Sequence, residues 1–497
     1  MIRLLSAAQM KQCDNYTIEN VGIPSRELMQ RAAEAAFREI MSGGFDLDKV
    51  VCICGCGNNG GDGLAVAMLL HKAGVQTEFF VCGSVEKMSE ECEYRYYSLL
   101  TAGATEQESL DLDGATLVVD AILGIGLTGD VRGAAADAIT QVNESLVPVV
   151  ALDIPSGINS DTGAVMGCAL SAELTVSFAR LKPGHILYPG RSCCGKTIVA
   201  DIGIDECGIS ADELVMGIPE KIDIRFLLPK RAPHSHKGTY GRLLVAAGSR
   251  GMCGAAYFAA LAAYRAGAGL VELFTPDVNV PVLQGKIPEA IVTSSDEGGA
   301  QLFRQRLKDC SACVIGPGLG QSIDAVRLVE EALESDTPLV IDADAMNIIA
   351  ANDDFKERLK SRKAESVITP HAGEMSRFTG KSIAEVMADP ITTARDISHE
   401  YGVVCVMKNS ATVVASGDCV FVNPTGCSAL AKGGSGDVLA GIIGAFLAEG
   451  AHGTDAAAAG VYLHGLAGEI AAEELSEYSV LATDTANSIS KALKKIL

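Results

Sequence analysis

Residues 49–72 read KVVCICGCGNNGGDGLAVAMLLHK. The apolar run at 49–55 predicts a buried strand, and the stretch from residue 62 onwards predicts a helix. A glycine-rich segment, 55–63, joins the two, as in the first turn of a βα unit on a parallel sheet. This stretch favours an α/β fold in which ligands bind beyond the carboxyl ends of the strands.

The same alternation of short apolar runs and longer amphipathic stretches continues along the chain, which is typical of βα units. In the first half we predict strands at 49–55, 75–82, 116–120, 147–153, 174–178 and 197–201, and helices at 7–20, 25–42, 62–73, 88–101 and 132–145. In the second half we predict strands at 242–247, 270–274, 312–316, 338–342, 366–369, 403–407, 411–415 and 419–423, and helices at 253–267 and from Asp437 onwards. The pair Gly417-Asp418 between the last two strands predicts a hairpin.

The segment 215–237 carries three prolines and no sustained periodicity, so we predict the domain boundary there. The expected domains are 1–220 and 221–497. A chain of 497 residues that is 48% apolar and 21% charged is long enough to bury a core in each of them. Only 5% of residues are aromatic, so aliphatic side chains must fill both cores, as in sheets covered by helices on both faces.

The formal net charge of −22 excludes some classes of partner. Such an acidic surface repels the phosphates of a nucleic acid, so no nucleic-acid partner is expected. No apolar run is long enough for a signal peptide or a membrane span, and we expect a cytoplasmic protein without membrane association. A small anionic ligand is still compatible, because N–H groups at a helix start can hold a phosphate.

The sixteen cysteines sit mostly inside apolar runs. Cys52, Cys54 and Cys56 alternate along one predicted strand, while Cys310 and Cys313 form a single C-x-x-C without the second pair that a zinc site needs. We therefore interpret the cysteines as core thiols.

Polar residues at three strand ends indicate a first candidate site. Asn58, Asn59 and Asp62 lie among the glycines after the first strand, Asp120 closes TLVVD, and Asp153 closes VPVVALD. Because the carboxyl ends of parallel strands meet at one edge, these groups are expected to converge. The alternative is that the two aspartates only cap the following loops. The usual dinucleotide pose is not predicted, since the next strand ends without an acid for the ribose.

A second glycine-rich segment indicates a second site. Residues 432–441 read KGGSGDVLAG at the start of an apolar helix. Its glycines expose N–H groups that form an anion hole for a phosphoryl group, and Asp437 can accept the proton of an attacking hydroxyl. The anion hole comprises Gly433, Gly434, Ser435 and Gly436. This arrangement resembles the ribokinase-like superfamily of small-molecule kinases, and the alternative is tight helix packing with Asp437 as a cap.

Four strings of the first half, GCGNNGGDGLAVA, VVDAILGIGLTGDVRG, ALDIPSGINSDTG and FARLKPGH, resemble in order and spacing the epimerase domain of the NAD(P)H-hydrate repair enzymes. The resemblance implies a Rossmann-like three-layer domain and a K⁺ ion held by Asn59, Asp120 and Ser156. It implies that the hydrated dinucleotide is contacted by Asn58, Asn59, Gly60, Gly61, Asp62, Gly124, Ile125, Gly126, Leu127, Thr128, Gly129, Asp130 and Asp153. The hydroxyl on C6 leaves as water and returns on the opposite face, with Asp153 stabilising the intermediate cation or moving the proton.

Strings of the second half, HSHKGTYG, VAAGSRGMCGAAYFAALAAYRAGAGLV, GPGLG, IDADAMN, ITPHAGE and KNSAT, are similar to the ADP- or ATP-dependent NAD(P)H-hydrate dehydratases. The resemblance implies dinucleotide contacts from Ala255, Gly320, His371 and Asp437, and adenosine-nucleotide contacts from Lys408, Asn409, Ser410, Ala411, Thr412 and Gly436. Lys408 has the alternative of being a solvated strand end. The pair His234 and His236 lacks a third metal ligand, and we interpret it as a basic loop near phosphate.

Together these resemblances imply a bifunctional enzyme, catalytic through Asp153 and Asp437, with a ribokinase-like second domain that uses ADP and Mg²⁺. ADP is favoured over ATP because the two domains are fused, and homo-oligomerisation is expected. In the implied chemistry, Asp437 deprotonates the C6 hydroxyl, which attacks the terminal phosphoryl group; phosphate then leaves and a C5 proton is lost. Two alternatives stay open: a vitamin-precursor kinase fused to an accessory domain, and a first half that binds a ligand or partner without catalysis.

Overall fold

The computed structural model describes residues 1–210 and 213–497. The chain divides into two compact units, Arg3–Glu213 and Leu214–Leu497, and Met1–Ile2 belong with the second. This division lies a few residues before the boundary expected at 220/221. The predicted α/β class is confirmed for both units, since each contains a largely or wholly parallel sheet covered by helices.

The first part of the chain contains short strands alternating with helices. The strands are β1 (Ile2–Leu4), β2 (Val50–Cys54), β3 (Thr77–Val81), β4 (Thr105–Glu106), β5 (Leu117–Ala121), β6 (Val149–Leu152), β7 (Leu174–Phe178) and β8 (Lys196–Ala200). The helices are α1 (Ala7–Tyr16), α2 (Ser25–Ser42), α3 (Asn58–Lys72), α4 (Glu90–Thr101), α5 (Ala134–Ser145) and α6 (Gly190–Cys193). All six strands predicted in this half are confirmed to within two or three residues at each end.

The first unit has a seven-stranded sheet in the order β4-β3-β2-β5-β6-β7-β8, with every pairing parallel. The order reverses between β2 and β5, because β3 and β4 extend the sheet on one side and the later strands extend it on the other. A crevice opens at such a reversal, beyond the carboxyl ends of the strands. In register, Ile53 of β2 lies opposite Asp120 of β5, which in turn lies opposite Ala151 of β6.

Helix α3 begins earlier than predicted. The sequence pattern placed its start at residue 62, but Asn58–Gly61 already form its first turn. The reason is steric: a Cβ on Gly60 would lie 1.8 Å from the carbonyl oxygen of Gly55, so only glycine lets the helix start this close to β2. The polar residues of the first site are therefore held on a helix and not on a loose loop.

The second part of the chain is larger. Its strands are β9 (Val215–Ile218), β10 (Arg242–Ala246), β11 (Leu270–Thr275), β12 (Ile291–Ser294), β13 (Ala312–Ile315), β14 (Leu339–Ile341), β15 (Ser366–Ile368), β16 (Val404–Met407), β17 (Val413–Ser416) and β18 (Cys419–Val422). Its helices are α7 (Lys221–Leu227), α8 (Cys253–Ala266), α9 (Val280–Lys286), α10 (Gly299–Asp309), α11 (Ile323–Glu334), α12 (Ala343–Ala350), α13 (Asp353–Ser361), α14 (Ala372–Thr379), α15 (Ile383–Ala388), α16 (Pro390–Tyr401), α17 (Ser435–Ala448), α18 (Gly453–Leu475) and α19 (Ala482–Ile496).

From β9 onwards the strand order of the second sheet is β9-β18-β17-β16-β15-β14-β13-β10-β11-β12. The pairings are parallel except for β16 with β17 and β17 with β18, which are antiparallel. The predicted hairpin at Gly417-Asp418 is confirmed, with Gly417 in the left-handed region at φ 56°. The order reverses between β10 and β13, so the second crevice opens there.

The segment 215–237, in which the sequence shows no sustained periodicity, contains regular structure in its first half. β9 and α7 occupy residues 215–227. A four-residue strand carries no periodicity of its own, and β9 forms because it pairs with β18, about two hundred residues later in the chain. The second half of the segment, before β10, is mostly irregular.

Small residues let helices pack closely in the second unit. A Cβ on Gly441 of α17 would lie 2.2 Å from the carbonyl oxygen of Ala259 on α8, so the backbones of these two helices touch at this point. Aliphatic side chains fill both cores, and Cys52, Cys54 and Cys313 are fully buried within them. Burial raises the pKa of Cys52 to about 12, as expected of a core thiol. Within residues 1–210 and 213–497, no helix has the length and apolar character to cross a membrane.

Candidate active sites

Asp120 and Ser156 form a buried hydrogen-bonded pair at the crevice of the first sheet. Ser156 donates to Asp120 twice, from its backbone N–H to Oδ2 at 2.7 Å and from Oγ to Oδ1 at 2.5 Å. Burial raises the pKa of Asp120 to about 6, although these hydrogen bonds act in the opposite direction. Asp120 also accepts from the Ile122 N–H at 3.2 Å, so it caps the turn after β5 and ties that turn to Ser156.

Asn59 joins the same pair through the backbone of Leu123. Its Nδ2 donates to the Leu123 carbonyl at 3.1 Å, and the Leu123 N–H donates to Ser156 Oγ at 2.9 Å. The other amide atom, Asn59 Oδ1, is buried without a hydrogen-bond partner among the described residues. The structure thus brings Asn59, Asp120 and Ser156 together and leaves one acceptor oxygen unpaired.

The segment Gly124–Asp130 begins beside this group and ends in solvent. A Cβ on Gly124 would lie 3.2 Å from the Cβ of Asn59. The carbonyls of Ile125 and Leu127 accept hydrogen bonds from Ser160 and Asn159, which follow the Asp153 strand. Gly126, Thr128, Gly129 and Asp130 are exposed, as is Asn58. The segment is therefore anchored at one end and accessible at the other.

Asp153 lies just beyond β6 and adopts an unusual backbone conformation. Its φ of 62° is in the left-handed region, which costs a non-glycine residue about 1 kcal/mol or more. Two contacts hold it there: the N–H of Phe178 donates to Asp153 Oδ1 at 3.1 Å, and His185 Nε2 lies 2.8 Å from the Asp153 carbonyl. The strain is localised at a residue that the sequence assigned to catalysis.

Lys182 contacts this carboxylate directly. Its side chain is fully buried, and Nζ donates to Asp153 Oδ1, to Ser177 Oγ at 3.1 Å and to the Phe178 carbonyl at 3.0 Å. Sequence reasoning used Lys182 only as part of the string FARLKPGH and gave it no role. A lysine looks solvent-exposed in a sequence, so nothing in the pattern signals that this one is buried.

His185 supports the same arrangement as a neutral imidazole. The Lys182 N–H donates to His185 Nδ1 at 2.9 Å, so the proton lies on Nε2, which donates to the Asp153 carbonyl. Burial lowers the pKa of His185 to about 4. His185 therefore braces the strained backbone and adds no charge near neutral pH.

Two further carboxyl groups interact with Asp153. Burial raises the pKa of Asp62 on α3 well above its ordinary value, and the charges of Asp153 and Asp14 raise it further. Burial and the charge of Asp153 raise the pKa of Asp14 on α1 to about 6. Asp14 was not predicted as a site residue, because it lies on the first helix, far from any glycine-rich segment.

The second site is built at the start of α17. Gly434 precedes the helix with φ 93°, and Ser435 begins it. Lys408 Nζ lies close by, since a Cβ on Gly436 would be 3.4 Å from it. The Ser435 hydroxyl is buried and has no hydrogen-bond partner in the described part of the chain. Helix N–H groups, an ammonium and an unpaired hydroxyl thus converge where the anion hole was predicted.

Lys408 is held in place by Asp342, which closes β14. Lys408 Nζ donates to Asp342 Oδ1 at 2.7 Å, and Thr369 Oγ1 donates to the same oxygen at 2.7 Å. Burial alone would lower the pKa of Lys408, but the charges of Asp342 and Glu374 raise it above its ordinary value. Lys408 is therefore a fixed cation of the site and not a solvated strand end.

Asp437 is half-buried in the first turn of α17. Burial raises its pKa to about 7, the charges of Asp342, Asp344 and Glu374 act in the same direction, and the charge of Lys408 opposes them. A carboxyl group with a pKa near neutrality is suited to accept a proton from a substrate hydroxyl.

The other predicted residues of this half lie at the same sheet edge. His371 precedes α14 and forms an isolated parallel β-bridge with Lys408. The N–H of Gly320 donates to Asp344 Oδ2 at 2.8 Å. Ala255 lies beside the same loop, since a Cβ on Gly318 would be 2.9 Å from its Cβ. The connection from β16 to β17 contains Lys408 and, after it, Asn409, Ser410, Ala411 and Thr412.

Asp342 and Asp344 had no predicted role, although a signal existed. The rule that selected Asp120 and Asp153, an acid closing an apolar strand, also fits Asp342 at the end of the run predicted at 338–342.

The interpretation of His234 and His236 as a loop near phosphate is wrong within this chain. This loop precedes β10, at the amino ends of the strands. Two contacts place this loop beside the C-terminal end of α17. Arg231 forms an ion pair with Glu449, and a Cβ on Gly241 would lie 1.8 Å from the carbonyl oxygen of Ala448. At 1.5 Å per residue that end is about 16 Å from Asp437. The proximity to phosphate was inferred from the basic character of the loop, and basic character does not indicate at which edge of the sheet a loop lies.

Comparison with known proteins separates the same two halves. A family model described as NAD(P)H-hydrate dehydratase matches residues 243–491, and one described as the YjeF-related protein N-terminus matches residues 25–184. The bifunctional NAD(P)H-hydrate repair enzyme Nnr of Coxiella burnetii is 37% identical over 97% of this chain and 98% of its own. Its Escherichia coli counterpart is 35% identical over 96% of this chain and 91% of its own.

Two solved structures resemble the second half. The ADP/ATP-dependent NAD(P)H-hydrate dehydratase of Bacillus subtilis, crystallised with ATP and Mg²⁺, is 31% identical with a TM-score of 0.50, covering 58% of this chain and 100% of that chain. A ribokinase-like superfamily protein of Enterococcus faecalis is 28% identical with a TM-score of 0.51, covering 56% of this chain and 96% of that chain.

Proposed function

The chain belongs to the family of bifunctional NAD(P)H-hydrate repair enzymes, and we propose that each of its units carries one of two activities. The unit Arg3–Glu213 interconverts the R and S epimers of hydrated NADH and NADPH at C6. The unit Leu214–Leu497 dehydrates the S epimer to the intact coenzyme while ADP is converted to AMP and phosphate. The observation that carries this proposal is similarity to such an enzyme along nearly the whole of both chains.

In the epimerase unit, Asp153 is the group proposed to face the reacting carbon. Expulsion of the C6 hydroxyl by the lone pair of the ring nitrogen leaves a cation, which a buried carboxylate stabilises more strongly than water would. Asn58, Asn59, Gly60, Gly61 and Asp62, together with Gly124–Asp130, are proposed to bind the rest of the dinucleotide. The exposure of Asn58 and of the far end of that segment supports this, because a ligand needs accessible groups.

We further propose that Asn59, Asp120 and Ser156 hold a K⁺ ion. Their oxygens fit a hard monovalent cation, and the unpaired, buried Asn59 Oδ1 is the observation that supports it, since such an atom costs free energy without a partner. K⁺ would supply a fixed positive charge that orders the Leu123 segment.

Replacing K⁺ by Na⁺ or tetramethylammonium is expected to slow epimer exchange and to lower the melting temperature of the epimerase unit, because a bound ion stabilises the folded state. NMR or chiral chromatography of the epimers and thermal unfolding would measure the two effects. Dehydration of pure S epimer in the same solutions is the control. If both quantities are the same in every salt, the K⁺ proposal is wrong.

In the dehydratase unit, Asp437 is proposed to take the proton of the C6 hydroxyl, which then attacks the terminal phosphoryl group of ADP. The N–H groups of Gly433, Gly434, Ser435 and Gly436 and the ammonium of Lys408 stabilise the charge on the transferred group. Departure of phosphate and loss of the C5 proton restore the ring. The buried, unpaired Ser435 hydroxyl supports a contact with a phosphoryl oxygen.

Mg²⁺ fits this site as an ion held largely by the nucleotide. Asp342, Asp344 and Glu374 carry more negative charge than Lys408 neutralises, but across residues 1–210 and 213–497 no three His, Cys, Asp or Glu side chains form a ready cage. Mg²⁺ usually takes one or two carboxylates together with phosphate oxygens and waters, and here it would neutralise charge on the phosphates.

The assay for this function follows the absorbance of reduced nicotinamide. Purified S epimer with Mg²⁺ and ADP is expected to regain that absorbance, with AMP and phosphate as products, and ATP is expected to be the poorer donor. A vitamin-precursor kinase would instead yield a stable phosphorylated product and no return of absorbance. Cytoplasmic localisation and homo-oligomerisation stay predictions, for cell fractionation and sedimentation to test.

Dehydration is expected to lose activity as the pH falls through about 7, because the proton-accepting form of Asp437 exists only above its pKa of about 7. The profile of kcat/KM against pH measures this. The acid limb, which is the fall of kcat/KM at low pH, is expected to move to higher pH in Lys408→Met, because the charge of Lys408 lowers the pKa of Asp437. A wild-type limb near pH 4, the usual range of an aspartate, would contradict the assigned base.

A further inference from the structure

Three carboxyl groups of the first unit interact electrostatically with one another, and one of them contacts the Lys182 ammonium. Asp14 comes from α1, Asp62 from α3 and Asp153 from the end of β6. Both Asp14 and Asp62 interact electrostatically with Asp153, and Asp14 also interacts with Lys182. Like charges in a buried place oppose one another's ionisation, and together with burial the charge of Asp153 raises the pKa of both Asp14 and Asp62.

The hydrogen bonds decide which carboxyl group keeps its charge. Lys182 has three N–H donors, and the structure uses all of them, on Asp153, Ser177 and the Phe178 carbonyl. Asp153 also accepts from the Phe178 N–H. Among residues 1–210 and 213–497, the side chains of Asp14 and Asp62 take part in no hydrogen bond or ion pair. Asp153 therefore has an opposite charge in direct contact and a second donor, whereas Asp14 and Asp62 interact with Lys182 and Arg95 only electrostatically, without a hydrogen bond.

The remaining charged groups near the cluster do not change this order. His185 is neutral at physiological pH, because burial lowers its pKa to about 4. Arg95 opposes the raised pKa of Asp62, but its two terminal nitrogens are engaged by Gln30 and the Arg26 carbonyl. Asp14 and Asp62 are thus the carboxyl groups of the cluster whose pKa is raised, while Asp153 is the one in direct contact with the Lys182 ammonium.

We propose that Lys182 is a positioning residue of the epimerase, which holds Asp153 ionised and in one orientation so that Asp153 is the negative charge facing the C6 cation. The inference rests on the proposed epimerase function. It explains why a lysine is fully buried, which is unfavourable unless its charge is paired and all its donors are used. It also explains how Asp153 keeps the left-handed backbone, since the residues that hold its carboxylate lie on the neighbouring strand β7 and on the segment after β7.

The test compares Lys182→Met and Lys182→Arg with the wild type in the full chain. We expect Lys182→Met to lower the kcat/KM of epimer exchange by about a hundredfold and to move its acid limb up by at least about one pH unit, because the ionised form of Asp153 loses its opposite charge. Lys182→Arg keeps the positive charge, so its kcat/KM for epimer exchange is expected to fall at the same low pH as in the wild type, although the maximal rate is lower. The pKa of Asp14 is about 6, so Asp14 can itself affect the fall of epimerase activity at low pH. The dependence of kcat/KM on pH in Asp14→Asn shows how much of that fall is due to Asp14.

Two controls are built into the same chain. Dehydration of S epimer by the second unit is expected to be unchanged in every variant. Lys196→Met replaces an exposed lysine at the amino end of β8, far from the carboxyl ends of the strands, and is expected to match the wild type.

The outcomes separate two failures. If the wild type exchanges no epimers, the proposed function fails. If the wild type is active but Lys182→Met loses rate with an unmoved acid limb, Lys182 has only a structural role and the inference is wrong. Should Lys182→Met leave the first unit unfolded, judged by loss of its thermal transition, Lys182→Arg decides: a limb that moves up although the charge is kept contradicts the proposal.

Discussion

Asp437→Asn is expected to lower ADP-dependent dehydration of the S epimer by about a thousandfold, while epimer exchange continues at the wild-type rate. Asparagine keeps the size of the side chain but cannot accept the proton of the C6 hydroxyl. The loss should appear in kcat more than in KM, because the anion hole and Lys408 still bind the nucleotide. Absorbance of reduced nicotinamide measures the first activity and separation of the epimers the second.

Asp437→Asn should not destabilise the second unit. Burial and the neighbouring charge of Asp342 already disfavour the ionised carboxylate, which raises its pKa to about 7. A neutral side chain removes that repulsion, so the melting temperature is expected to stay the same or rise. Dehydration retained within about tenfold of the wild type would show that another group takes the proton and would overturn the assignment.

Asp153→Asn is expected to have the opposite pattern: epimer exchange falls by about a hundredfold to ten-thousandfold and dehydration of S epimer is unchanged. The position suits asparagine, because Asn tolerates the left-handed region in which Asp153 lies at φ 62°. Its amide oxygen can still accept from the Phe178 N–H. What is lost is the negative charge, so the loss of rate reports on electrostatics and not on backbone shape.

The substitution leaves Lys182 buried without its opposite charge, which is expected to destabilise the first unit by about 3 kcal/mol. Thermal unfolding therefore accompanies the rate measurement, and rates are taken well below the transition. Equal loss of both activities in a folded Asp153→Asn chain would contradict the separation of the two sites. Epimer exchange at the wild-type rate would remove Asp153 from the mechanism.

Motifs and strand ends predicted which polar residues the fold brings together at the two candidate sites. Asp120 and Ser156 form a buried pair, and Lys408 and Gly436 lie together, because a residue after a buried parallel strand must reach the same edge as its neighbours. The predicted start of α3, at residue 62, was too late. Only the close packing of Gly60 on Gly55 reveals the additional first turn. Strand β9 was missed because its reason for forming lies in β18.

What the sequence did not predict depends on burial and on distant partners. Lys182 has no apolar periodicity around it that signals full burial, and its role depends on meeting Asp153, which lies 29 residues earlier in the chain. The pKa of Asp14 is raised by burial and by the charge of Asp153, and the sequence of α1 signals neither of them. The loop with His234 and His236 shows the converse error, in which local charge suggested a site at the wrong edge of the sheet.

The central claim is that two separate sites in one chain act in sequence on the same damaged coenzyme. It is tested most directly by giving pure R epimer, ADP and Mg²⁺ to Asp153→Asn, to Asp437→Asn, and to a mixture of the two variant chains. The account predicts that, after subtraction of spontaneous epimerisation, each variant alone restores the absorbance of reduced nicotinamide at least about a hundredfold more slowly than the wild type, and that the mixture restores it at close to the wild-type rate. A mixture that recovers no more than either variant alone would contradict it.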